Sequence, residues 1–285
     1  DANLAWRTEI PPGYSSPIVA GERVFLTGAA GARVSTLCVE RGTGAIVWQR
    51  SIDFDGRRVG ADSPAAPSPA TDGERVYALF HSAGLVAYDL SGQELWRAAP
   101  GPFDIPHGLA TSPVLHGGLV LLQVDQDSGS YLLAVDARTG EERWKVDRPG
   151  AMHGYATPAV YAPADGPAQV VVSGSFQIAG YSLADGAKRW WVDGAAWQAK
   201  ALPVFEDGRC IVNASMAPST EFGLPRLTQT WEEALAERDA DGDGRIGRSE
   251  WQHDMMQRAW FLFDLDGDDV LDARDYDYRG KMGTA

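Results

Sequence analysis

Apolar and polar positions alternate with a period of two in short stretches, and glycine turns punctuate them. "SSPIVAGERVFL" (15–26), "PSPATDGERVYAL" (67–79), "TSPVLHGGLVLL" (111–122), "ATPAVYAPADGPAQVVV" (156–172) and "ALPVFEDGRCIV" (201–212) each pass from a proline through a short apolar strand and a turn to a second apolar strand. Alternation bounded by Gly, Pro and Asp predicts half-buried strands. Proline opens the first strand of each pair, where its missing N–H does least harm. A second series interleaves with the first: "CVERGTGAIVW" (38–48), "AYDLSGQELW" (87–96), "AVDARTGEERW" (134–144) and "GYSLADGAKRW" (180–190). Each is a strand end, a glycine turn and a returning strand that closes on tryptophan. Trp48, Trp96, Trp144 and Trp190 stand 48, 48 and 46 residues apart.

Each period therefore holds about four short strands, the signature of a β-propeller blade. The fold class expected is mainly β. It is a partial β-propeller of about four and a half four-stranded blades over residues 1–217, with no ring closed within the chain. The turn "AVDARTGEERW" carries Ala134, Asp136, Thr139, Gly140 and Trp144. It resembles the quinoprotein-type propeller repeat, also called the pyrroloquinoline-quinone-like repeat, whose signature is Ala-x-Asp-x-x-Thr-Gly-x-x-x-Trp. Gly44 with Trp48, Asp89 with Gly92 and Trp96, and Gly186 with Trp190 repeat parts of it. The resemblance covers about three quarters of the chain. It implies that each tryptophan packs between adjacent blades. It also implies a ring of seven or eight blades, roughly 320–380 residues at this period. Further blades are therefore expected beyond this sequence, and an unpaired sheet edge near residues 202–214.

The pattern changes after residue 217. Residues 218–227 read as a linker and 228–279 as an EF-hand pair, a small α-helical module. "TWEEALAER" (230–238) predicts a helix capped by Thr230, with Glu232 and Glu233 in its first turn. "DADGDGRIGRSE" (239–250) then places Asp239, Asp241 and Asp243 at loop positions 1, 3 and 5, Gly244 at the turn, the Arg245 carbonyl at position 7 and Glu250 at position 12. That is the calcium-loop pattern. Ile246 at position 8 is its apolar anchor. In "DLDGDDVLDARD" (264–275), Asp264, Asp266, Asp268, the Val270 carbonyl and Asp275 repeat the set, with Asp272 at position 9. Here Asp269 replaces the turn glycine and must adopt a left-handed backbone, and Asp275 is shorter than Glu. Between the loops, "WQHDMMQRAWFLF" (251–263) predicts one shared helix, with Trp251, Met255, Ala259 and Leu262 on a single face. Trp260, Phe261 and Phe263 add more apolar surface than so small a unit hides, so the module is expected to dock on the propeller.

The segments entering each innermost strand would meet on one face of a propeller. They bring Tyr14, His107, His153, Tyr155, Trp197, Gln198 and Lys200 together as candidate lining of a polar, partly aromatic funnel. The natural occupant is another protein or a small ligand.

Charge and composition narrow the function. The net charge of −14 disfavours a nucleic-acid partner. More than half of it falls in residues 228–285, which hold 15 acidic and 7 basic side chains. The chain is 44% hydrophobic, enough for a large core, yet no apolar run approaches the ~18 residues of a membrane span. Cys38 and Cys210 each lie in an apolar run and read as buried small hydrophobes. No Gly-x-Ser-x-Gly, Walker loop, His-Glu-x-x-His or Cys-x-x-Cys occurs. The quinone-dependent alcohol dehydrogenases that share the repeat carry adjacent cysteines; this chain has none, so the repeat does not imply bound pyrroloquinoline quinone. The expectation is a calcium-binding, non-catalytic, extracytoplasmic scaffold. The alternative is a fragment of a quinone-dependent oxidoreductase.

Overall fold

The computed structural model of the chain describes residues 3–54, 64–105, 107–195, 199–213, 229–252, 257, 260, 263–264 and 268–280, with side chains as far as 276. Four antiparallel four-stranded sheets follow one another, each with its strands in sequence order. The first is β1 (Ile18–Ala20), β2 (Arg23–Ala30), β3 (Arg33–Glu40) and β4 (Ile46–Asp53). The second is β5 (Ala70–Thr71), β6 (Arg75–Phe80), β7 (Gly84–Asp89) and β8 (Glu94–Ala98). The third is β9 (Val114–His116), β10 (Leu119–Val124), β11 (Tyr131–Asp136) and β12 (Glu142–Asp147). The fourth is β13 (Ala159–Tyr161), β14 (Gln169–Ser173), β15 (Gln177–Ser182) and β16 (Lys188–Asp193). β17 (Val204–Glu206) and β18 (Arg209–Ile211) pair alone as the inner half of a fifth. The architecture is the partial propeller that the repeat predicts. Pro17, Pro69, Pro113, Pro158 and Pro203 each stand one residue before the first strand, just outside the ladder that their missing N–H would interrupt.

The two middle strands of the second, third and fourth blades and β3 of the first are almost wholly buried, while β2 is buried at three of its eight positions; their side chains fill the spaces between blades. Three outer strands dock by the same device. Trp48 lies over Gly92 of the next blade and donates its indole N–H to Leu90 O at 2.9 Å. Trp96 covers Gly140 and donates to Ala137 O at 3.1 Å; Trp144 covers Gly186 and donates to Leu183 O at 3.0 Å. The receiving glycines have φ of 85°, 75° and 73°, a conformation that also leaves room for the ring. Each turn is braced by its aspartate; Asp136, for example, accepts from the N–H groups of Arg138 and Thr139. A register shift recurs beside the residue that faces the tryptophan, at Cys38/Val39, Ala87/Tyr88, Ala134/Val135 and Gly180/Tyr181. Such bulges strengthen local twist and re-aim the outer strand.

The series has a member that periodicity overlooks. Trp6 lies over Gly44 and donates to Arg41 O at 2.8 Å, the same docking on the first blade. At the other end, Trp190 lies over Gly180 of its own blade and donates to the Gln169 side chain at 2.7 Å. Val192, Leu202, Val204 and Ile211 are all more than half exposed on that side. Cys210 belongs to the same open edge. The reading of both cysteines as buried is corrected for it: among the described residues no strand covers β18, and Cys210 is exposed, whereas Cys38 is fully buried in β3.

The acidic region forms α1 (Trp231–Arg238), β19 (Ile246–Gly247), β20 (Val270–Leu271) and α2 (Ala273–Gly280). Thr230 caps α1 as the sequence predicts, and it does so in a reciprocal capping box with Glu233. The linker 218–227 and most of the helix expected over 251–263, including Met255, Ala259, Phe261 and Leu262, lie outside the described residues. Trp251, Trp260, Phe263, Ile246, Leu271 and Tyr276 pack into one buried cluster with Met152 and Phe176 of the propeller.

Candidate functional site

The two acidic loops share one hydrogen-bond scheme. In the first, Asp239 Oδ2 accepts from Gly244 N at 3.0 Å, Asp243 Oδ1 from Arg245 N at 2.8 Å, and Glu250 Oε2 from Gly247 N at 2.6 Å. The second repeats all three: Asp264 Oδ2 from Asp269 N at 2.8 Å, Asp268 Oδ1 from Val270 N at 3.1 Å, and Asp275 Oδ2 from Asp272 N at 3.1 Å. Ile246 pairs with Leu271 and Gly247 with Val270, so the loops stand back to back on a two-residue ladder. Asp269 adopts φ 68°, the left-handed turn expected where glycine is missing; Gly244 has φ 82°. Asp266 lies outside the described residues.

Asp239, Asp241 and Asp243 each offer a carboxylate oxygen within 4.8 Å of the others. Glu250 folds back over the loop, accepting from Ala240 N at 2.7 Å. Hydrogen bonds from the Gly247 and Ala240 backbone hold its carboxyl below the usual range. An all-oxygen donor set of this size suits a hard cation such as calcium. Asp264 and Asp275 are buried, and Arg245 Nη1 reaches Asp268 Oδ2 at 3.2 Å, linking the loops by charge.

The inner rim is stitched by hydroxyls. Ser16 N donates to Ser68 Oγ, Ser68 N to Ser112 Oγ, and Ser112 N to Thr157 Oγ1, at 2.8, 3.0 and 3.0 Å. On this rim His153 is buried, with Nδ1 against Asp127 Oδ1. Tyr155 lies between the histidines, its ring 6.1 Å from His153 and 6.3 Å from His107. Ala199 O accepts from Tyr155 N at 3.0 Å, which brings the fifth entering segment alongside. Its neighbour Lys200 is exposed, while Trp197 and Gln198 lie outside the described residues. Tyr14 is 73% exposed and takes no part in this ring cluster. Ser175 Oγ clamps the preceding loop, accepting from Met152 N at 3.2 Å and donating to Met152 O at 3.1 Å. The side chain of Met152 therefore enters the cluster beneath the acidic loops one residue before His153.

Sequence reasoning missed a buried ion pair nearby. Arg148 Nε and Nη2 donate to Asp125 Oδ1 and Oδ2 at 2.7 and 3.0 Å, and Nη1 donates to Tyr181 Oη at 2.8 Å. Gln123 Nε2 donates to the same carboxylate at 2.7 Å. Burial alone would lower the Arg148 pKa, but Asp125 and Tyr181 outweigh it and raise it. Burial raises that of Tyr181. Gly174 leaves room for the guanidinium, since a Cβ there would strike Nη2. The only signal in sequence was an Asp and an Arg at strand ends of one blade.

No match among curated proteins was found. Solved structures share the fold. A quinohemoprotein alcohol dehydrogenase from Pseudomonas putida HK5 aligns over 64% of this chain and 34% of its own, with 18% identity and a TM-score of 0.53. A europium-containing methanol dehydrogenase aligns over 68% and 44%, with 16% identity and a TM-score of 0.55. A quinohemoprotein alcohol dehydrogenase from Comamonas testosteroni aligns over 70% and 39%, with 14% identity and a TM-score of 0.53. The chain thus spans less than half of each of these proteins. The family model described as outer membrane protein assembly factor BamB matches residues 1–121, 35–191 and 128–257. By those overlapping matches, which take in most of its length, the chain belongs to the BamB family of propeller proteins.

Proposed function

We propose that the chain is a calcium-stabilised propeller scaffold of the cell envelope or the outside of the cell, with a partner protein or small ligand at its inner rim. Asp239, Asp241, Asp243, the Arg245 carbonyl and Glu250 would hold one ion. Asp264, Asp266, Asp268, the Val270 carbonyl and Asp275 would hold a second. Calcium would neutralise the converging carboxylates and so remove their repulsion. The observation that carries this reading is the matched hydrogen-bond scheme of the two loops, with their anchors Ile246 and Leu271 in the cluster that reaches Met152 and Phe176. The ligand face would be formed by His107, His153, Tyr155 and Lys200, joined by Trp197 and Gln198. Further blades would cover the open side of β16–β18 and receive Trp190. Family membership supports a scaffold role, and no described helix is long and apolar enough to cross a membrane.

The test is thermal melting in excess chelator and in saturating calcium, on the wild type and Glu250→Gln. At ~100 times the dissociation constant, calcium contributes about 2.7 kcal/mol, a rise of roughly 5–10 °C. Glu250→Gln should lose at least half of that rise. An unchanged wild-type midpoint would defeat the proposal.

The second reading, a quinone-dependent oxidoreductase fragment, draws on the fold shared with the dehydrogenases. The chain's two cysteines, Cys38 and Cys210, do not supply the adjacent pair of those enzymes. Reconstitution with pyrroloquinoline quinone separates the readings. A bound chromophore and dye reduction favour the enzyme; a blank spectrum favours the scaffold.

A further inference from the structure

Trp191 is an aromatic ring at a position that is otherwise polar. The residue after the docking tryptophan is Gln49, Arg97 and Lys145 in the first three blades and Trp191 in the fourth, where it is 57% exposed. The open end of the arc does not account for this exposure. Trp191 pairs with Ala179, and directly paired residues share a face of the sheet. Ala179 packs in the cluster between the third and fourth blades, so Trp191 faces the third blade. Its neighbours Trp190 and Val192 face the other way, and a following blade would cover them and not Trp191. We propose that Trp191 is the stacking platform of a site for a neutral hexose, whose hydroxyls are met by Tyr181, Lys188 and Asp193.

A cleft of about 190 Å³ opens beside the ring, between the two blades. A void of ~150 Å³ admits benzene, so this cleft has room for one six-membered ring. Lys188 lines it and holds its ammonium 5.1 Å from the Trp191 centroid. Gln177, also in the lining, accepts from Lys188 Nζ and donates to Asp193 Oδ1 at 2.8 Å. Lys188, Gln177 and Asp193 thus form a polar chain along the strand that carries Trp191.

Charge selects a neutral ligand. Two cations, Arg148 and Lys188, meet three carboxylates, Asp125, Asp147 and Asp193. An anion would add to a surplus of negative charge, and a cation would meet Lys188 at the mouth. Donors and acceptors are both left over among the described residues. Tyr181 accepts from Arg148 Nη1 at 2.8 Å, which leaves its own O–H to donate. Lys188 has two N–H groups beyond the one given to Gln177. Asp193 has Oδ2 beyond the oxygen that Gln177 holds. A hydroxyl donates once and accepts twice, so several hydroxyls on one ring match a lining of both kinds. The C–H face of a sugar ring is apolar enough to lie on an indole, and Val146 and Ala151 add apolar wall. The site shares no residue with the rim cluster or the acidic loops.

The test is saturation-transfer NMR and calorimetric titration of the full chain with the methyl glycosides of glucose, galactose, mannose and N-acetylglucosamine. At least one should bind in the range of about 1–10 mM, with transfer to its ring C–H protons. The uronate of that sugar, which adds a negative charge, should bind at least tenfold more weakly. Trp191→Ala should weaken binding about tenfold, and Tyr181→Phe and Asp193→Asn about three- to tenfold each. If Tyr181→Phe does not fold, the exposed positions Trp191 and Asp193 still decide. A tetrasaccharide of the same sugar that binds much tighter identifies a glycan chain as the source, and equal binding identifies a free sugar. No binding of any of the four glycosides at about 20 mM, equal binding of the uronate, or unaltered affinity in Trp191→Ala overturns the site.

Discussion

Replacing Gly140 by alanine separates two costs that the blade turn combines. Gly140 has φ 75°, and a Cβ built on it would stand 2.5 Å from Trp96 Cε3. Gly118, in the β9–β10 turn of the same blade, has φ 76° and nothing within 4 Å of such a Cβ. Gly118→Ala therefore carries only the left-handed strain of an L-residue, about 1–2 kcal/mol. Gly140→Ala carries that strain and must also displace the Trp96 ring. Overfilling a packed site costs about 1–3 kcal/mol, and within that sum the indole loses its 3.1 Å bond to Ala137 O. The entropy that alanine removes from the unfolded chain is common to both and cancels. The difference between the two variants should be about 1–3 kcal/mol. Urea unfolding followed by tryptophan fluorescence measures it as a difference in midpoint at constant slope. Equal midpoints would refute ring-over-glycine docking as the source of the recurring geometry of these turns.

Asp125→Asn strands the buried Arg148 charge and should destabilise by about 3–5 kcal/mol, while Asp125→Leu with Arg148→Met should recover most of it in the same urea assay. Asp269→Gly should relieve the left-handed turn of the second loop, adding about 0.5–1 kcal/mol to the metal-free melt; a lower midpoint contradicts the strain. Burial alone would raise the Asp72 carboxyl, but hydrogen bonds from Glu74 N, Tyr77 Oη and Arg75 outweigh it and hold it below its ordinary value. A carboxyl depressed in the folded state stabilises above the unfolded pKa, and this is lost as pH falls through the folded value. Asp72→Asn should therefore flatten the acid arm of stability below about pH 4, read from urea midpoints between pH 6 and 3; an unchanged slope rejects it.

What could be read from the sequence was whatever repeats. Trp48, Trp96 and Trp144 recur with their glycine turns, so blade number and strand order followed from spacing alone. The two acidic loops carry their positions in twelve consecutive residues, so even the left-handed Asp269 was foreseeable from a missing glycine. Trp6 escaped because "LAWRTE" has no preceding turn of its own to mark it as part of a repeat; its partner, Gly44, lies in another blade. Arg148 and Asp125 escaped because they occupy different strand ends and meet only when the blade folds. Cys210 was misread because an apolar run indicates which face a residue occupies, while the covering layer belongs to other strands.

The hydroxyl stitching of the rim bears on how such a protein grows. Each repeat contributes an acceptor to the one before it and an N–H to the one after it, as Ser68 and Ser112 both do. A duplicated repeat thus arrives with both halves of its own junction and fits between any two others without compensating change. Head-to-tail joints of this kind contain no stop signal; geometry ends the series only when the last unit meets the first. At the fifth position Leu202 stands where the serines and threonine stand, and the run of hydroxyls breaks there. The fourth and fifth repeats thus meet without the joint that links the first four, and this junction has to hold by packing instead.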